Sequence, residues 1–205
     1  MASVVANTLG NDPYNFDALD KAYRDYYDSG SFDSGPTFVK VHELMANGFT
    51  RNDAVEETHR LFNGSTAGCN PMHRFMVVAG MEDLPYDHLD DLARKDARLT
   101  HQDATAGLCS SVLVRILRQC LSGENINDAA NAVLSELSPN DQKIFNIPMG
   151  KSGYGPEALV SAIEFAGDWK SGLARSIEFA TPNNYCPPIV GAFILSVSDY
   201  LTGMR

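Results

Sequence analysis

The chain of 205 residues carries 26 Asp and Glu against 16 Lys and Arg, a formal charge of −10, and 44% of its side chains are apolar. A chain of this length buries roughly 70% of its unfolded surface, enough to fold as a single domain without a disulfide or a metal. The acid excess, with no basic run longer than Arg94-Lys95, disfavours nucleic-acid partners, and the longest apolar stretch, 189–197, is about half of the ~20 residues that membrane insertion requires.

Asn15 is placed to cap a helix in which Phe16, Leu19, Tyr23 and Tyr26 recur at steps of three and four, and Gly30 stands where a left-handed stop belongs. Pro36 suits the first turn of a second helix, with Phe38, Val41, Leu44 and Met45 on one face and Gly48 closing it. Thr50 with Asp53 forms a weak capping box for a third, which carries Ala54, Val55, Thr58 and Leu61. Three helices are thus expected before residue 62. Residues 63–71, NGSTAGCNP, combine two Gly, one Pro and small polar side chains, and predict a turn-rich loop of the kind that often carries a site.

Pro71 then opens a helix through Phe75, Met76, Val78 and Ala79, and Pro85 another through Leu89, Leu92, Ala93 and Leu99. The widest apolar stripe runs from Leu108 and Cys109 through Val112, Leu113, Ile116 and Leu117 to Cys120 and Leu121, which predicts a central, mostly buried helix closed by Gly123. Asn127 is expected to cap a helix over 128–137, and residues 138–155, punctuated by Pro and Gly, read as a connection of about eighteen residues. Three further helices are led by Pro156, Asp168 and the Pro187-Pro188 pair. No stretch shows the two-residue period of a strand, so the expected class is all-α, one domain over 1–205 with nine or ten helices.

The four cysteines, at 69, 109, 120 and 186, form no C-x-x-C pair and no Cys/His cluster of zinc spacing, and are expected to be free thiols. The opening MASVVAN lacks the basic flank of a secretory signal. Both observations point to an intracellular protein of unspecified compartment.

A Gly-containing loop that runs into a helix N-terminus presents backbone N–H groups to phosphate, which makes residues 64–74 the best candidate site. The competing reading is a plain interhelical turn. His73 and Arg74 are neighbours on a helix and cannot share a face. Arg74 either anchors an acid or carbonyls in the core or supplies charge to a bound phosphate. His101, after Thr100 at a helix junction, reads as a histidine satisfied internally, its imidazole bonding the backbone there. A nucleophilic pairing of Cys69 with His73 lacks a third, orienting group.

Four segments in order, GCNPMHR (68–74), ARLTHQD (97–103), GYGPEAL (153–159) and PPIVGAF (187–193), resemble the ADP-ribosylglycohydrolase family. The Pro-x-His-Arg form at 71–74 is similar to the crystallin-like branch of that family, and the resemblance covers nearly the whole chain. It implies an all-α fold and, in active members, hydrolysis of the glycosidic bond between ADP-ribose and a protein side chain, assisted by two divalent ions, usually Mg²⁺, on oxygen ligands. The positions matching the family's Asp-Thr-Asp-Thr motif are Pro182, Asn183, Asn184 and Tyr185, so the resemblance implies that neutral groups replace the metal-binding Asp residues. The family's Thr-Asp-Asp cluster would fall before Met1, which makes the chain short at its N-terminus and no metal expected.

Loop and resemblance together make Ser65, Thr66, Gly68, Asn70, His73, Arg74 and Tyr154 the expected ligand-binding residues, with no catalytic residue assigned. Two readings of function follow. One is a degenerate family member serving as a structural or interaction module with a protein partner; the other is a binder of ADP-ribose or a related nucleotide that hydrolyses it weakly or not at all.

Overall fold

The computed structural model describes residues 1–10, 12–30, 34–168, 170–180 and 186–197. The first three expected helices form as their signals predict. In α2 (Phe16–Asp28) the Asn15 side chain accepts from the Ala18 N–H at 3.0 Å, and beyond its end Gly30 takes φ +80°. In α3 (Pro36–Ala46) proline occupies the first turn, and in α4 (Arg51–Leu61) Thr50 Oγ1 accepts from the Asp53 N–H at 3.3 Å. A further helix, α1 (Ala2–Leu9), precedes them; its Met1 cap makes no side-chain bond, and the spacing of buried Val5 and Leu9 is its one sequence signal.

The helix opened by Pro71 differs from expectation. α5 (Asn70–Phe75) tightens into a 3-10 turn over Met76–Gly80. The cause lies on another element: Arg118 donates to the carbonyls of Ala79 at 2.6 Å, Met81 at 2.7 Å and Leu84 at 2.8 Å, satisfying acceptors that no helix continues to serve. Likewise Pro85 opens first a 3-10 turn, Tyr86–His88, and then α6 (Leu89–Arg98), with Leu99 as its cap.

The apolar stripe becomes α7 (Ala104–Leu121), started by Asp103, whose Oδ1 accepts from the Thr105 N–H at 2.9 Å. α8 (Ile126–Ser135) begins earlier than expected, because Asn125 rather than Asn127 is the cap and Ile126 already belongs to the buried face. The connection expected over 138–155 contains α9 (Pro139–Phe145), whose Ser138 Oγ accepts from the Asp141 N–H at 3.1 Å and whose last residue, Phe145, docks in the core. The chain continues through α10 (Gly155–Ala166), α11 (Gly172–Phe179) and α12 (Cys186–Val197).

The fold is all-α as expected, with twelve α-helices among the described residues where nine or ten were expected; α1 and α9 were not foreseen. The described residues form no strand, and a lone antiparallel bridge joins Gly68 to Tyr154. Nor is any described helix long and apolar enough to cross a membrane.

α7 is the axis. It is buried continuously from Ala106 to Val114 and again at Ile116, Leu117 and Cys120, and α5, α6, α8, α10 and α12 pack around it. α6 lies closest: a Cβ on Gly107 would stand 3.2 Å from the Arg94 Cα, so the lack of a side chain there sets the distance between the two helices. One hydrophobic cluster runs from Val5 and Leu9 to Phe193, with a satellite of Val41, Ala54 and Val55 tying α3 to α4. All four cysteines are buried and none is in a disulfide, and burial pushes the Cys120 and Cys186 thiols up to about 11, which keeps them protonated.

Candidate functional site

The loop after α4 turns at Asn63 (φ +50°) and Gly64 (φ +82°), where the Gly64 N–H returns to the His59 carbonyl at 2.9 Å. Thr66 Oγ1 lies 2.7 Å from His59 Nδ1 and accepts from the Asp103 N–H at 3.2 Å, which ties the loop to the start of α7. Two backbone bonds then clasp it to the segment before α10: Cys69 N–H to the Gly153 carbonyl at 2.9 Å, and Gly155 N–H to the Ala67 carbonyl at 2.8 Å.

In front of this clasp lies a cavity of about 1040 Å³. Of the expected residues, Ser65, Gly68, Asn70, His73 and Tyr154 line it. Thr66 does not; it is 1% exposed and braces the loop from behind. Arg74 does not either, and its expected place among the ligand-binding residues is corrected by its burial. It is wholly buried behind the cavity wall, where Nε donates to Asp96 Oδ2 at 2.8 Å, NH2 to the Asp96 carbonyl at 2.7 Å and NH1 to Thr100 Oγ1 at 2.8 Å. Its guanidinium also stacks 4.7 Å above the Tyr23 ring. This is the anchoring role, with both an acid and a carbonyl as partners.

The rest of the wall was not legible locally. Met1 and Ala2 of α1, Tyr26 of α2, and Gly35, Pro36, Thr37 and Phe38 at the start of α3 form one side; Met76, His101, Asp103 and Ser152 complete others. His101 bonds a side chain, Thr100 Oγ1, rather than the backbone, and faces the cavity as well. These residues lie far apart in sequence, and no spacing rule joins them.

The electrostatics come from the backbone. The N-terminal ends of α1, α3, α7, α10 and α12 all reach the cavity through Met1, Gly35, Asp103, Tyr154 and Pro188, and the short α5 adds Cys69 and Asn70. A helix N-terminus carries roughly half a positive charge, although the Gly155 N–H of α10 and the Thr105 N–H of α7 are already bonded, to the Ala67 carbonyl and to Asp103. No described Lys or Arg lines the cavity, and Asp103 is the one described carboxylate that does. A chain with a formal charge of −10 thus turns a set of positive helix ends inward.

A model of the ADP-ribosylglycohydrolase family matches residues 1–199. The chain belongs to the ADP-ribosylglycohydrolase family. No curated protein and no solved structure matches it.

In an ADP-ribosylglycohydrolase the family mechanism implies a pair of hard divalent ions, which require several oxygen ligands, mostly carboxylates. The described residues do not fit that pair. Among them no three His, Cys, Asp or Glu side chains come together, and Asp103 Oδ1 is already engaged by the Thr105 N–H as the α7 cap. The reading of Pro182, Asn183, Asn184 and Tyr185 as a replaced metal motif falls outside the described residues.

The clasp offers a direct test. A Cβ on Gly155 would meet both the Ala67 carbonyl oxygen and Cys109 Sγ at 3.2 Å, the first being one of the bonded backbone atoms and the second a core side chain on α7. Gly155→Ala is expected to cost about 1–3 kcal/mol, the usual penalty of overpacking, and to speed hydrogen exchange of the Cys69 and Gly155 amides. Unchanged protection of both amides would refute the clasp.

Proposed function

We propose that this chain is a degenerate ADP-ribosylglycohydrolase that holds an ADP-ribose-type ligand in the cavity and does not perform two-metal hydrolysis. The observation that carries the reading is the meeting of several helix N-termini at a cavity of about 1040 Å³ that no described Lys or Arg lines. That volume is at the upper end for a small-ligand site. Helix ends favour a diphosphate without any cationic side chain. A further feature supports a ribosyl ligand: Asn70 Oδ1 is a buried acceptor without a hydrogen-bond partner, a cost that a ligand hydroxyl would relieve.

Hydrolysis asks for more than binding. An activated water and stabilisation of developing charge are each commonly worth several kcal/mol, and Asp103, the one carboxylate among the described lining residues and already a helix cap, supplies little of either. The protein therefore acts as a binding module, and a protein partner bearing ADP-ribose is the ligand form this reading favours.

Calorimetric titration with ADP-ribose, without and with Mg²⁺, tests it together with release of ADP-ribose from a modified peptide. Saturable binding independent of Mg²⁺ and weakened by Asn70→Ala is expected, with no release. At about a hundred times its dissociation constant the ligand should add ~2.7 kcal/mol of stability. Turnover that requires Mg²⁺ would overturn the degenerate reading. Absence of binding would leave the structural role.

A further inference from the structure

His101 stands between α6 and α7, 1% exposed, with one edge against the inner wall of the cavity: a Cβ on Gly68 would lie 3.4 Å from its Nε2. Its other nitrogen, Nδ1, is 2.7 Å from Thr100 Oγ1. The direction of that bond follows from its neighbour. Arg74 NH1 donates to the same oxygen at 2.8 Å, and a guanidinium has no acceptor to offer in return. The Thr100 hydroxyl hydrogen goes to His101 Nδ1, the acceptor in reach, and the ring proton is left on Nε2.

Arg74 is itself immobile. Asp96 takes its Nε at 2.8 Å and its NH2 at 2.7 Å, while the Tyr23 hydroxyl fills Asp96 Oδ1 at 2.5 Å. We infer that Arg74 and Thr100 are positioning residues that fix His101 as the Nε2–H tautomer, so that the cavity beside Gly68 presents a neutral donor. Burial, and then the nearby Arg74 charge, hold the imidazole well below its usual 6.5, in keeping with an uncharged ring. A donor of fixed direction is selective: it welcomes a phosphate, carbonyl or hydroxyl oxygen and repels an N–H. The choice of ligand atom rests on the binding reading above, whereas the tautomer is a property of the free protein.

Long-range ¹H–¹⁵N correlation spectra of the ¹⁵N-histidine-labelled protein read the tautomer directly, with His101→Gln identifying the signal. A protonated Nε2 and unprotonated Nδ1 are expected in the wild type and in Thr100→Ser, and loss of that single-tautomer pattern in Thr100→Val. An Nδ1–H tautomer in the wild type, or a Thr100→Val spectrum identical to it, overturns the relay. Should Thr100→Val fail to fold, the wild-type and Thr100→Ser spectra still decide. ADP-ribose separates the two claims: a fixed tautomer whose signals ignore ADP-ribose upholds the relay and defeats the binding reading, and a ligand-shifted Nε2 supports both.

Discussion

Arg74→Met is expected to lower the unfolding free energy by about 3–5 kcal/mol, because it strands a buried carboxylate whose partner has been removed. Both side chains of the Arg74–Asp96 pair are wholly buried. Burial pushes the Asp96 carboxyl up from its usual value, against the pull of Arg74 and of the Tyr23 hydroxyl, so the ionised form depends on those partners. Without Arg74, Asp96 must take up a proton or open the core to water. The double variant Arg74→Met/Asp96→Leu should recover part of the loss, since two apolar groups leave no stranded charge between them. Urea unfolding of the four species in a double-mutant cycle gives the coupling directly. Additive losses would mean that Arg74 and Asp96 act independently, contrary to their 2.8 Å contact.

His42 by itself should lower stability by about 2–3 kcal/mol as pH drops from 6.5 to 4, beside the contribution of the buried His101. His42 lies in α3, stacked on Phe38 with ring centroids 4.0 Å apart and on Tyr27 at 5.4 Å. Its Nδ1–H donates to the Phe38 carbonyl at 2.8 Å, which turns Nε2 toward Arg51 NH1 at 3.5 Å. A proton on Nε2 would face a guanidinium that is already ion-paired with Asp20. Burial first, with Arg51 and Arg74 adding to it, lowers the His42 pKa from 6.5 to about 4.

Within that window the unfolded chain binds a proton on this ring that the folded chain refuses. The stabilisation is therefore complete above pH 6.5 and is lost as pH falls toward 4, and the neutral, buried His101 contributes in the same direction. His42→Phe keeps the stacking and removes the titrating nitrogen. Urea midpoints measured between pH 7 and 4 should fall less steeply in that variant, with the His101 share remaining; an unchanged slope would show that His42 carries none of the acid sensitivity.

Much of the secondary structure was legible because its signals are local. Asn15, Thr50 and Pro36 sit where caps and first turns need them, and all three act within four residues of their own position. The stripe of α7 announced its burial because one helix surrounded by others must be apolar almost all round. α1 escaped notice because it has no cap and its stabilising contacts lie with α2, α5 and the 3-10 turn, all later in the chain. α9 was hidden by the Pro and Gly residues around it, which read as loop although Ser138 and Pro139 are also a helix start.

The sequence by itself determined the all-α class, the starts of α2, α3 and α4 and the loop that opens the site, since periodicity, caps and turn residues act over a few positions. Tertiary structure alone decided which side of α5 each neighbour took: His73 went to the cavity and Arg74 to Asp96, 22 residues further on. Adjacent helical residues point about 100° apart, but the sequence does not say which direction is core. It was likewise the packing of distant helices around α7 that brought their N-terminal ends to one cavity, because a partial charge at a helix end becomes a site when the fold aims several at the same space.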